Sequence, residues 1–281
     1  TSAVYPPGSI FKLVTALAAL QRGKITAHTT FNCPGHFRLN RRSRPFRCWW
    51  SQGHGPLDLY RALERSCNVY FYRVGRLVGP DALAETAREL GFGQSFQLEM
   101  TNLVPGLVPD SVWKKNHLKE KWYEGETLSF AVGQSYLQVS PLQVLRLSAI
   151  IAKNGEWVEP KLIRNPLLHE PHLKKKIAIK EEHLKIIRQG MLKVVQSDYG
   201  TGQLARVDFN EIAAKTGTAQ APPRDPHAWI TGFFPYKDPE IAFVVLVEHG
   251  GSGGITAARI AKQAIEIWQG MNQPPPVPVT P

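Results

Sequence analysis

Residues 9–21 read SIFKLVTALAALQ, a run of good helix formers that is apolar on nearly every side and interrupted by a single charge, Lys12. A helix with no polar face cannot rest on a surface, so the remainder of the chain has to enclose it. With 281 residues and 43% apolar content there is enough material to do so. The placement of one lysine in such a helix also matters, because burial works against the charged form of an amine.

The elements that follow are legible in outline. DLYRALER and VYFYRVGRLVG predict two helices on either side of Ser66, Cys67 and Asn68, and PDALAETARELG predicts a third, with Asp81 in its first turn and Gly91 as its stop. SPLQVLRLSAIIAKNG and KEEHLKIIRQGMLKVVQ predict two more, and EWVEPKLI a short strand. Residues 26–56, rich in Pro, Gly, Arg and Cys, read as an irregular excursion, and loops are expected over 92–126. IAAKTGTAQ, AWITGFFPY and EIAFVVLVEHG predict three neighbouring antiparallel strands, with YKDP as a hairpin connection, and ITAARIAKQAIEIWQGM predicts a closing helix. The expected class is α+β: an antiparallel sheet flanked by helices, plus a mostly helical subdomain. Residues 1–270 form one domain in this reading, and the proline-rich 271–281 a disordered tail.

No stretch approaches the roughly 20 apolar residues that span a bilayer. The net charge of +11 favours an anionic neighbour. Much of that charge sits in RLNRRSRPFRCWW, as Arg38, Arg41, Arg42, Arg44 and Arg47, readable as a solvated loop or as an anion contact. No helix-turn-helix, zinc-finger or RNP pattern accompanies it, and nucleic acid is not expected as a partner.

Chemistry enters with Ser9 and Lys12. A neutral serine hydroxyl needs a base, and a lysine can be that base when burial lowers its pKa. Positions three apart on a helix share a face. The pair is weak on its own, since Ser111 and Lys114 repeat it. Ser66 and Asn68 add a hydroxyl and an amide suited to proton relay and to holding a peptide backbone; Asn68 could equally cap a helix. Lys215, Thr216, Gly217 and Thr218 add a cation, hydroxyls and a gap in a strand, suited to gripping a carboxylate, although Lys215 could also be an edge-strand charge.

Ser-x-x-Lys, then Ser-x-Asn, then Lys-Thr-Gly, in that order, resembles the serine acyl-transferases that include penicillin-binding proteins and serine β-lactamases. The stretches YPPGSIFK, GHGPLDLYRALERSCNVYFYRVG, AVGQSYLQVSPLQVLRLSAIIAKNG, KTGTAQ and HAWITGFFPYKDPEIAFVVLVEHGG resemble the transpeptidase domain of class B, elongation-type members, the type called penicillin-binding protein 2. The resemblance implies a β-lactamase/transpeptidase-like fold whose first strands are missing from this chain. It implies a peptidoglycan D,D-transpeptidase that is acylated by β-lactam antibiotics: Ser9 as nucleophile, Lys12 as base, Ser66 and Asn68 relaying the proton and placing the donor. Lys215, Thr216 and Thr218 would recognise the terminal carboxylate, with Gly217 leaving room beside the strand. The backbone N–H groups of Ser9 and Thr218 would bind the oxyanion. A side-chain amine of a neighbouring stem peptide would resolve the acyl-enzyme. Stem peptides, β-lactams and a membrane glycosyltransferase are the implied partners. The implied location is the periplasmic face of the inner membrane, reached through an N-terminal anchor outside this chain. The rivals are a serine β-lactamase, for which Glu85 and Glu89 are the carboxylates to examine, a D,D-carboxypeptidase, and a β-lactam-sensing domain.

Cys33, Cys48 and Cys67 are the only cysteines, with His54 among them. An odd number of thiols sits badly with disulfides alone; zinc, one disulfide or free thiols all remain open from the residues. The resemblance implies a metal site beside the Ser-x-Asn loop, where some members carry aspartates at the places of Cys33 and Cys48. Thiolates there favour zinc, bound by Cys33, Cys48, His54 and Cys67 in a structural role. His36 is a lesser ligand candidate. His227 and Trp229 are expected to pack beside the sheet or to border a substrate groove.

Overall fold

The computed structural model describes residues 3–96, 98, 104–160, 162 and 176–272. A 3₁₀ turn, Gly8–Phe11, runs into α1 (Lys12–Gln21), whose residues Lys12 to Leu20 are all buried. The fully apolar helix is therefore the axis of the larger core, and the helices that follow are packed around it.

Residues 26–57 are more ordered than their composition suggests. Two small antiparallel ribbons form, β1 (Phe31–Cys33) with β4 (Gly55–Leu57), and β2 (His36–Phe37) with β3 (Phe46–Arg47). Strands this short carry little periodicity, which is why the stretch looked irregular. The ribbons lead into α2 (Leu59–Glu64), capped by Asp58, and α3 (Asn68–Val78), capped by the Cys67 thiol. α4 (Pro80–Glu89) follows as expected, and Gly91 stops it at φ +88°.

The loops expected over 92–126 contain α5 (Ser111–Leu118) and the start of α6 (Glu124–Ala131). The second Ser-x-x-Lys copy lies on α5, where Lys114 is buried and ion-paired with Glu126. It holds α5 to α6 and is not among the residues that line the cleft around Ser9. α7 (Pro141–Ala152) and α8 (Glu181–Gln196) complete the helical part. The strand expected over 156–163 is, among its described residues, a single bridge from Glu156 to Lys176.

The sheet has three strands among the described residues, β5 (Ala213–Ala221), β6 (Arg224–Phe234) and β7 (Ile241–Val247), antiparallel in that order. Trp229, Phe233, Val244 and Leu246 face the α1 core. Ile230, Phe234, Phe243 and Val245 face a second core under α9 (Ala258–Asn272). Burial on both faces accounts for the nearly unbroken apolar reading of β6 and β7. β5 is an edge strand, and the turn that carries Ser9 lies against it. Residues 273–281 of the expected tail lie outside the described residues.

Candidate active site and cysteine cluster

The three motifs converge on one cleft of about 660 Å³, lined by Ser9, Ser66, Asn68, Thr216 and Thr218 among others. Close backbone contacts hold the Ser9 turn there. A Cβ on Gly133, at φ +76°, would fall 2.0 Å from Gly8 O, and Gly8 N donates to Gly133 O at 3.0 Å. Only a residue without a side chain fits that approach. Gly217 keeps room beside the strand, as expected, but protein fills it: a Cβ there would meet Pro7 O at 2.9 Å and Trp229 Cβ at 3.1 Å. This glycine docks the Ser9 turn onto β5.

Lys12 and Lys215 are both wholly buried, and they meet at one hydroxyl. Lys12 Nζ donates to Ser66 O at 2.7 Å, Ser66 Oγ at 3.1 Å and Asn68 Oδ1 at 2.7 Å. Lys215 Nζ donates to Ser66 Oγ at 2.9 Å and to Thr216 O at 3.0 Å. Burial pushes Lys12 down to about 8, against the neighbouring Cys48 and Cys67, which raise it. Burial, and then the neighbouring Lys12 charge, push Lys215 well below the ordinary lysine range. Two ammonium groups converging on one buried oxygen disfavour each other, so the site favours a neutral amine.

The direct Ser9–Lys12 hydrogen bond suggested by the spacing is not formed. Among the described residues Ser9 Oγ has no hydrogen-bond partner, and Lys12 spends its donors on Ser66 and Asn68. The two residues still lie three apart across a 3₁₀ turn, where such positions stack one above the other. Ser66 itself is held at φ +51°, in the left-handed region. For a non-glycine residue this conformation costs on the order of 1–3 kcal/mol, and such strain concentrates at functional sites.

Several cleft residues have no counterpart in the motif reading. Arg47, Trp49, Tyr72, Gln134, Thr201, Gln220 and Ser252 all contribute to its lining. Thr201 bonds Thr216 Oγ1 at 2.8 Å and fixes its hydroxyl; the only signal for it was the Gly-Thr-Gly run at 200–202. No carboxylate lines the cleft among the described residues. Glu85 is exposed and paired with Arg22, and Glu89 is exposed. His227 and Trp229 are buried and pack against the Tyr5 ring at 5.2 and 6.2 Å, away from the cleft lining.

Beside Ser66, the ribbons assemble Cys33, Cys48, His54 and Cys67, whose ligating atoms all lie within 4.8 Å of one another. No disulfide joins the thiols. His54 Nδ1 is 3.6 Å from both Cys33 Sγ and Cys48 Sγ. A tetrahedral zinc with ordinary bond lengths has ligand-to-ligand edges of about 3.5–3.8 Å. The donor set therefore fits zinc in number and type, and its two His54–thiol edges fit in spacing. Gly53, at φ +82° with its Cβ position 2.4 Å from Cys33 O, lets the two ribbon turns close around it.

Sharing of protons among the thiols sets their acidity. The hydrogen bond from Cys67 draws Cys48 down to about 3 and Cys33 to about 6, and the same contacts push Cys67 up. Burial disfavours the His54 cation, but hydrogen bonds to Cys48 and Cys33 outweigh it and raise the imidazole. His54 Nε2 is buried without a protein partner, and the Trp49 ring packs 5.5 Å away. His36 is exposed on β2 and outside the cluster.

The cluster is tied to the Ser66–Asn68 loop at two further points. Asn68 Nδ2 donates to Arg47 O at 3.3 Å, and Trp49 Nε1 to Arg65 O at 2.9 Å. Cys67 sits between Ser66 and Asn68, so its position is also theirs.

Residues 1–266 match the family described as penicillin binding protein transpeptidase domain. The chain is similar to the peptidoglycan D,D-transpeptidase MrdA of Acinetobacter baumannii, 34% identical over 287 residues, 94% of this chain and 42% of that protein. It superposes on PBP2 of Pseudomonas aeruginosa in complex with WCK 5153 with a TM-score of 0.87 at 34% identity, covering 94% of this chain and 59% of that one. PBP2 of Helicobacter pylori in complex with MreC gives a TM-score of 0.86 at 34% identity, over 95% of this chain and 50% of that one. The chain thus spans less than half the length of its A. baumannii relative.

Proposed function

The chain belongs to the penicillin-binding protein transpeptidase family, and from that we propose that it carries the acyl-transfer site of a peptidoglycan D,D-transpeptidase of the PBP2 type. The observation that carries this reading is the Lys12–Ser66–Lys215 link beside Ser9, in a cleft whose described lining offers hydroxyls and no carboxylate.

In this mechanism Ser9 Oγ attacks the penultimate D-Ala carbonyl while neutral Lys12 accepts the hydroxyl proton. The backbone N–H groups of Ser9 and Thr218, on the turn and the edge strand, receive the developing oxyanion. The proton passes from Lys12 through Ser66 Oγ to the departing D-Ala amine, a path the two lysine contacts with that oxygen support. Thr216 and Thr218 hold the substrate carboxylate, with Lys215 behind them; Asn68 places the peptide backbone. An amine from a neighbouring stem peptide then attacks the ester carbonyl and gives up a proton to the Lys12–Ser66 relay, which returns one to Ser9 Oγ as the C–O bond breaks. A β-lactam occupies the same place and esterifies the same hydroxyl, its ring C–N bond opening so that the released amine stays attached to the acyl group.

Among the described residues the cleft lining holds no carboxylate that could serve as a second base for water beside Lys12, which favours a persistent ester over hydrolysis and separates this reading from a β-lactamase of the carboxylate-dependent kind. Incubation with labelled penicillin tests it: the chain should hold the label for many minutes, whereas rapid release with turnover of free drug would assign a β-lactamase.

Zinc bound by Cys33, Cys48, His54 and Cys67 would be structural, with no open position for catalysis, and would fasten the ribbons to the Ser66–Asn68 loop. Because stem peptides are cross-linked outside the cytoplasm, the domain would work on the periplasmic face of the inner membrane. A membrane glycosyltransferase making the strands would be its working partner; the H. pylori complex of PBP2 with MreC supports a wider assembly.

A further inference from the structure

One stretch of the cleft's rim exposes large aromatic rings that the acyl transfer does not use. Trp49, Trp50 and Tyr199 are 56%, 49% and 68% exposed. They are held in place rather than left free. Trp49 lines the cleft and is anchored by its Nε1 bond to Arg65 O at 2.9 Å. Trp50 packs edge-on against it, with centroids 5.7 Å apart. The Arg65 guanidinium lies 4.3 Å over the Tyr199 ring, and its Nε is buried without a partner. The Tyr199 turn is pinned to the end of α2 by Thr201 N, which donates to Glu64 O at 3.2 Å. Trp50, Trp49, Arg65 and Tyr199 therefore form a continuous strip.

Beside the strip stands the basic β2–β3 ribbon. Arg38, Arg41, Arg42, Arg44 and Arg47 are exposed, and none takes part in an ion pair among the described residues. Fixed aromatic faces in water, flanked by unpaired cations, suit a ligand that is apolar on one face and anionic along its side. Pyranose rings offer a C–H face for stacking, and peptides attached to them can supply carboxylates. A lipid surface also attracts tryptophan and arginine, but this strip leads into the cleft that holds Ser9.

We propose that the strip binds the acceptor: an amino-sugar strand whose rings stack on Trp50, Trp49 and Tyr199, with its peptide carboxylates against the ribbon arginines. This rests on the transpeptidase reading of the cleft. It assigns the rim to the second substrate, while Thr216 and Thr218 serve the first.

Calorimetric titration of a soluble disaccharide-tetrapeptide, which lacks the D-Ala–D-Ala bond that a donor needs, tests it. Binding should be present in the chain, survive prior acylation by penicillin, and weaken by about tenfold in both Trp50→Ala and Tyr199→Ala. Both variants should take labelled penicillin at the parent's rate. Unchanged binding in both variants overturns the proposal, as does a parent that takes the label yet binds no disaccharide-tetrapeptide. Binding to phosphatidylglycerol vesicles in place of the disaccharide-tetrapeptide assigns the strip to a membrane. A parent that takes no penicillin label defeats the transpeptidase reading, and this one with it.

Discussion

At Ser66 a single oxygen receives hydrogen bonds from two buried lysines. A hydroxyl has two acceptor lone pairs, so both are occupied and its own proton is directed elsewhere. Removing it in Ser66→Ala leaves Lys12 and Lys215 without a shared partner and interrupts the proton path. Penicillin acylation should fall by about 10²–10⁴-fold while Ser9 remains in place; an unchanged stopped-flow acylation rate would remove Ser66 from the mechanism. The pH dependence follows from Lys12, which burial lowers from 10.5 to about 8. The reactive form is the neutral amine, so its fraction grows as pH rises. Acylation should increase about tenfold per pH unit well below 8 and level off above it. A profile that falls over the same range would assign the base elsewhere. Ser9, Lys12, Ser66, Asn68 and Lys215 were legible because their types and order are themselves the signal. The left-handed Ser66 backbone and the missing Ser9–Lys12 bond were not, since spacing limits which side chains can meet but does not choose their partners.

At the scale of elements, the ribbons and the turn that bears Ser9 are the parts on which the site depends. If zinc joins Cys33, Cys48, His54 and Cys67, metal analysis of chain purified without chelator should return about one zinc per chain. Stripping it should slow acylation and lower the melting temperature together; a metal-free sample that melts and acylates normally would contradict the role. Gly133→Ala would drive a methyl group into Gly8 O and shift the Ser9 turn. It should cost more than about 2 kcal/mol and most of the acylation rate. Thermal melting compared with that of Gly251→Ala, where the Cβ position is open, separates crowding from backbone strain. The short ribbons escaped the sequence because two- and three-residue strands show no alternation. α5 escaped because its apolar face is weak and its anchor is the buried Lys114–Glu126 ion pair.

Across the whole molecule, one helix organises the rest. Residues from Lys12 to Leu20 are buried, and the cleft opens where this helix begins against the edge of the sheet. Leu17, fully buried in α1, is far from the chemistry in role but central in packing; Leu17→Ala should cost about 2–5 kcal/mol through the cavity it leaves. That the helix is enclosed could be read from its all-round apolarity, and the three C-terminal strands from their β-rich runs. The cleft could not be read the same way, because it combines residues from both ends of the chain, such as Ser9 and Ser252, that no local pattern links. The most direct measurement is mass spectrometry of the chain after brief exposure to penicillin. The account predicts one added drug mass, carried by the peptide containing Ser9, and absent from Ser9→Ala; an adduct on any other residue, or one that persists in that variant, would contradict it.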